Sequence, residues 1–141
     1  MNRRRAVLAL WMMIAFSGLL SVLTGILGVS LYRIRTAYSI EQGIAAAYAA
    51  ESGAQWGLSY LSSSDLPDQH EEEASPGRET SFKVLIKKET FDEENQIWKG
   101  KIQSRGTHDQ SGTVRYLQLD VTIEEVEPRR ITVTDLQKWK W

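Results

Sequence analysis

The spacing of apolar residues changes twice along the chain. From Ala6 to Leu31 the sequence is apolar throughout, broken only by Ser, Thr and Gly, with no charged residue in 26 positions. As helix this run is about 39 Å long at roughly 1.5 Å per residue, more than the ~20 residues needed to cross a hydrocarbon core. Its hydroxyls can bond back to their own helix, which makes them tolerable in lipid. A second helical stretch follows without a break, because no proline occurs before Pro67. It is dense in alanine, the best helix former. Ile40, Ile44, Ala47/Tyr48, Glu51, Ala54, Leu58 and Leu61 recur every three or four residues, which predicts one apolar face on a projecting helix. Ser62-Ser63-Ser64-Asp65-Leu66-Pro67 predicts its end.

Residues 62–79 carry almost nothing apolar and predict a polar linker. Beyond it the period becomes two. Phe82, Val84 and Ile86 alternate with lysines, as do Trp98, Gly100 and Ile102 with polar neighbours. Leu117, Leu119, Val121 and Ile123 form a third run, and Ile131 and Val133 a fourth beyond Pro128. These are strands with one wet face. About 60 residues of sheet bury little alone, so the apolar face of the second helix is the expected partner. The expected fold class is α+β: a long N-terminal helix packed on a small antiparallel β-meander. The expected organisation is a basic N-terminus (1–5), a transmembrane helix (6–31), a projecting amphipathic helix (32–61), a linker (62–79) and a sheet domain (80–141).

Charge sharpens this division. The first 35 of the 141 residues hold five arginines and no acid, while the remainder holds twelve basic residues against eighteen acidic ones. A protein that binds nucleic acid through bulk positive charge is disfavoured. Arg3, Arg4 and Arg5 before the apolar run outweigh Arg33 and Arg35 after it, which predicts a cytoplasmic N-terminus and an extracytoplasmic C-terminal domain in a single-pass inner-membrane protein. A cleaved signal peptide is the competing expectation, with Gly28-Val29-Ser30 as the small-x-small site and a secreted soluble module as the product. The absence of cysteine excludes disulfides and thiolate chemistry.

Small residues recur four apart at Ser21/Gly25, Thr24/Gly28 and Gly53/Gly57, and Gly18 lies one turn before the first pair. Such residues let helices approach closely. Outside the membrane each glycine costs a helix about 1 kcal/mol, so Gly53 and Gly57 predict close packing, against another subunit or against this chain's own sheet. Glu51, on the predicted apolar face, is either a charge reaching water or a buried acceptor for a neighbouring subunit's cation or main-chain amide.

Catalytic and cofactor chemistry finds little support. His70 before Glu71-Glu72-Glu73 reads as a solvated charge run rather than a metal site. His108 and Asp109, between Ser104 and Ser111, invite a hydrolase triad, but a hairpin tip holds three groups poorly. Asp92-Glu93-Glu94-Asn95, in the Glu89–Gln96 loop, lacks the spacing and glycine of a calcium loop. Lys83, Lys87, Lys99 and Lys101 form a stripe that reads as a soluble face, with no nucleic acid expected. No cofactor is expected.

The segment Ala45-Ala46-Ala47-Tyr48-Ala49-Ala50-Glu51-Ser52-Gly53-Ala54, behind a basic N-terminus and a long apolar helix, resembles the Tyr-x-Ala-Glu-x-Gly stretch of minor pilins of the PilX-like kind. Ile102-x-Ser104-x-Gly106, Gly112-x-x-Arg115 and Val121-x-Ile123 resemble the sheet of such pilins, and Ile131–Trp141 their aromatic-containing ends. The chain departs from major pilins in having no acid before Glu41. The resemblance implies a non-enzymatic minor pilin or pseudopilin of a type IV pilus or secretion system. Such a subunit assembles with other pilins and the pilus machinery by lateral helix packing in membrane lipid. The alternative is a bitopic membrane protein whose small outer domain binds a ligand without polymerising.

Overall fold

The computed structural model describes residues 2–64, 67–93, 95–124 and 129–139. One helix, α1, runs Asn2–Ser63. Five strands follow: β1 Gln69–Ala74, β2 Thr80–Asp92, β3 Ile97–His108, β4 Thr113–Glu124 and β5 Arg130–Trp139. All neighbours are antiparallel and the spatial order equals the chain order, a pure meander. The chain divides into two compact units, Met1–Ile40 and Glu41–Trp141.

In the first unit α1 is long and apolar enough to cross a membrane, and its large apolar side chains, Val7 to Ile34, are exposed. This unit is compatible with a single membrane span. Ser21 Oγ donates to Ser17 O at 3.0 Å and Thr24 Oγ1 to Leu20 O at 2.8 Å, so both hydroxyls are satisfied within the helix. Gly18, Gly25 and Gly28 have open space where a Cβ would stand.

In the second unit the remainder of α1 lies on one face of the sheet. The strand positions expected from alternation face it: Phe82, Val84 and Ile86 from β2, Ile102 from β3, and Leu117, Leu119, Val121 and Ile123 from β4 are all buried. Each such side chain contributes about 1.5–3 kcal/mol relative to an exposed one. The helix end is fastened by the chain after β4. The Arg129 guanidinium donates to Ser64 O at 2.6 Å and to Leu61 O at 3.4 Å, supplying charge to carbonyls that the last turn leaves without helical partners.

The structure corrects three expectations. Residues 69–74, expected within a linker, form β1, paired from Gln69↔Lys87 to Ala74↔Phe82. Residues 75–79 remain an exposed loop. The sheet therefore has five strands rather than four. The third correction concerns the helix face. Ile44 and Tyr48 are exposed, at 51% and 66%, and so is Ile40 in the first unit. The buried stripe is Gly43, Ala46, Ala50, Gly53 and Gly57, ending at Leu61. Small residues at three- and four-residue spacing bring the helix axis down onto the sheet; Ala54, Leu58 and Leu61 of the expected face join the core, while Ile44 and Tyr48 turn away.

Candidate functional site

The inner face of the sheet is built for close approach. A Cβ on Gly106 of β3 would lie 2.1 Å from Ala46 O and 2.3 Å from Ala50 N, so this strand glycine touches the helix backbone itself. Gly53 sits over Ser104 and Phe82, and Gly57 over Ile102 and Val84. The groove anticipated at Gly53 and Gly57 is thus filled by the chain's own sheet. A second subunit cannot use it without unfolding this unit. The Ser104 hydroxyl, 1% exposed, faces Gly53 and has no hydrogen-bond partner among the described residues. Glu51 is half-buried and borders, with Leu58 and Leu136, a shallow groove between α1 and β5.

β1 is held on by aromatic contact as well as by its ladder. His70 stacks on Tyr60 of α1 with ring centroids 4.4 Å apart and planes 7° apart, and Tyr60 stacks on Trp56 at 5.3 Å. His70 Nε2 lies 3.8 Å from a Glu72 carboxylate oxygen. Among the described residues no three His, Asp or Glu side chains converge on a metal position.

At the β3–β4 turn His108, 8% exposed, has its Nδ1 2.9 Å from Ser111 Oγ and accepts the Ser111 N–H at 3.3 Å. Gly112 closes the turn with φ 67°, a conformation that favours glycine. Asp109 accepts instead from Ser81, at 2.7 Å, and Ser104 lies under the helix. Of the four residues considered for a triad, only His108 and Ser111 meet, and the histidine acts as a turn cap. At the β2–β3 tip, Asn95 donates to Asp92 at 3.1 Å. Glu94 lies outside the described residues, as do Asp65, Leu66, Pro128, Lys140 and Trp141 and the side chains of Arg3, Arg4 and Arg5.

The outer face carries the lysine stripe. Lys83, Lys87, Lys99 and Lys101 share it, interleaved with acids. Lys83 pairs with Glu71 and Lys101 with Glu89, the latter at 2.7 Å. The Glu71 carboxylate, by hydrogen bond and charge, holds the Lys83 ammonium above its ordinary value of 10.5. The hydrogen bond from Glu89 does the same for Lys101. On β5 the Gln137 amide and the Leu136 N–H stabilise the Asp135 carboxylate and lower its pKa. Asp120 and Asp135 stand opposite each other on this face. Among the described residues the positive charge of this face is concentrated on β2 and β3, with Arg130 of β5 opposite Glu124 at the far end.

Known proteins add no neighbour: no family model, no curated protein and no solved structure matches the chain.

Proposed function

We propose that the chain is a structural, non-enzymatic, minor pilin-like subunit that assembles by lateral helix packing. It crosses the inner membrane once, with Arg3, Arg4 and Arg5 on the cytoplasmic side and the sheet unit outside or in a surface filament. One observation carries the reading. In the second unit α1 satisfies its own sheet with glycine and alanine, and leaves Ile44 and Tyr48 exposed on its outward side. Ile40, four residues earlier in the sequence, is exposed too. Large apolar side chains placed outward at helical spacing fit an intermolecular helix contact, and the resemblance of Ala45–Ala54 to minor pilins supports the same assignment. The small residues Gly18, Ser21 and Gly25 then belong to the contact between spans.

The absence of cysteine makes the test direct. Ile44→Cys and Tyr48→Cys, each a single thiol, are oxidised in native membranes beside Thr122→Cys on the outer sheet face. Cross-linked species at positions 44 and 48, and none at 122, are expected. Monomers throughout would overturn assembly through this face and leave the non-polymerising bitopic protein as the better description. A soluble, shortened product beginning near Leu31 would overturn the membrane assignment itself.

A further inference from the structure

Two adjacent rows of cross-strand positions on the outer face frame a shallow depression of about 480 Å³, within the usual size range of small-ligand pockets. One row sets Lys83 opposite Arg105 and Arg105 opposite Tyr116. The other sets Glu71 opposite Leu85, Leu85 opposite Gln103, and Gln103 opposite Gln118. Arg105 is exposed and, among the described residues, has no hydrogen-bond or ion-pair partner. Its neighbour Lys83 is like-charged, an unfavourable cross-strand pairing, and is already committed to Glu71. The guanidinium is thus a planar fork of five donors with no acceptor among the described residues.

The surroundings specify more than an anion. Tyr116 presents an exposed ring with a polar tip. Gln103 Nε2 donates to Gln118 Oε1 at 3.1 Å, and Gln118 Nε2 donates to Asp120 at 3.0 Å. This relay fixes both amides, and among the described residues the Gln103 side-chain carbonyl has no donor and can accept. Amides that both donate and accept match hydroxyl groups. Carboxylates bound the positive patch on both sides, Glu71 and Glu73 on β1 and Asp120 and Asp135 on β4 and β5. A nucleic-acid strand crossing the sheet would run its phosphates over those acids. A short saccharide that sets one carboxylate on Arg105 and directs its hydroxyls toward the amides and acids would not.

We propose that this depression binds a saccharide bearing a carboxylate. The acid group takes the Arg105 fork, a sugar ring lies on Tyr116, and hydroxyls bond the amides of Gln103 and Gln118 and the Glu71 carboxylate. The assignment is independent of whether the chain polymerises.

The test is calorimetric titration of the full chain in a zwitterionic detergent, which avoids sugar headgroups, with trigalacturonate, maltotriose, oligothymidylate and inorganic phosphate. Trigalacturonate binds at least about tenfold more tightly than maltotriose, the worth of a charge-assisted hydrogen-bond pair. Arg105→Gln and Tyr116→Ala each weaken it by about tenfold or more, while Lys99→Gln, on the same face but outside the depression, changes it less than about twofold. Unchanged melting of all three variants shows that binding, not folding, was altered. No saturable trigalacturonate binding at millimolar concentration overturns the proposal, as does equal affinity for maltotriose or phosphate. So does an equal effect of Lys99→Gln. Tighter binding of oligothymidylate reassigns the face to nucleic acid.

Discussion

Replacing Gly106 by alanine tests the claim that glycine sets the distance between helix and sheet. The added methyl would stand 2.1 Å from Ala46 O and 2.3 Å from Ala50 N, against contacts that real Cβ atoms keep above 3.0 Å. Both obstacles are helix backbone, which has no rotamer to move into. Relief needs α1 to lift by about 1 Å, and a gap of that size forfeits about a quarter to a half of each dispersion contact along the interface. Overpacking usually costs about 1–3 kcal/mol. With no side chain able to yield, Gly106→Ala is expected at the upper end, about 3 kcal/mol or more. For a unit of about 100 residues that lowers Tm by roughly 12–24 °C. The φ of Gly106 is not positive, so backbone strain does not enter and the effect is steric.

Three helix glycines supply the internal control. At Gly57 the new methyl meets an Ile102 methyl at 2.8 Å, and at Gly43 the flexible end of Arg115 at 2.9 Å. Each substitution also gains about 1 kcal/mol of helix propensity, so Gly57→Ala should be near neutral and Gly43→Ala neutral to stabilising. Gly53→Ala, against Ser104 Oγ at 2.3 Å and the Phe82 ring at 2.8 Å, falls between. The assay is thermal unfolding of the full chain in detergent, followed by near-ultraviolet circular dichroism. If Gly106→Ala melts within about 4 °C of wild type, equivalent to about 1 kcal/mol or less, the helix–sheet distance is not set by this glycine. A larger loss at Gly57 than at Gly106 would refute the same reasoning.

Other features of the second unit make separate predictions. Arg129→Gln should destabilise by about 1–2 kcal/mol, because the last-turn carbonyls lose a charged donor; equal urea midpoints for variant and wild type would contradict this. Trp56→Ala should speed amide exchange in Gln69–Ala74 while leaving β3 and β4 protected, since Trp56 and Tyr60 back the His70 ring. Limited proteolysis should cut within residues 75–79 before residues 69–74, because only the latter are paired. Lys83 has a raised pKa, so its contribution is present below the ordinary lysine value of 10.5 and is lost as pH rises through the higher folded value. Alkaline loosening of β1 should therefore disappear in Glu71→Gln, as read by exchange of the β1 amides.

Legibility in the sequence followed the strength of the local signal. The three long strands were readable because one face is buried and apolar residues must then alternate. β1 was not readable. Its sequence, Gln69-His70-Glu71-Glu72-Glu73-Ala74, has no apolar alternation, and as an edge strand it buries little. What holds it is non-local: the ladder to β2, the Lys83–Glu71 pair and the His70 stack on a helix residue ten positions earlier. Charged residues also protect an exposed edge from pairing with other chains, so the composition that reads as linker serves a strand here. The depression around Arg105 was equally hidden, because it takes one or two side chains from each of four strands and becomes a unit only once register is known.

The helix shows how a periodicity can be correct while only part of its interpretation holds: Ala54 and Leu61 of the expected face are buried and Leu58 packs on the core, whereas Ile44 and Tyr48 are exposed. Two stripes with the same spacing run along residues 40–61, one large (Ile40, Ile44, Tyr48) and one small (Gly43, Ala46, Ala50, Gly53, Gly57). Ranking by hydrophobicity selects the large stripe as core. Packing selects the small one, because Gly106 of the strand beneath touches the helix backbone, and Gly53 and Gly57 leave room there for Ser104, Phe82, Ile102 and Val84 at that close approach. Within the second unit Ile44 and Tyr48 therefore face outward, because the contact with the sheet already uses the opposite side of the helix. A helix that needed only its own sheet would gain solubility from polar residues at positions 44 and 48, and positions 55, 59 and 62 on the outward side are in fact Gln, Ser and Ser. The change from apolar to polar along one exposed ridge of one unit limits the expected intermolecular contact to the beginning of that ridge. Cross-linking should accordingly be strong at position 44, persist at 48 and be absent at 59. A uniform yield along the ridge would indicate random collision in the membrane rather than a defined interface.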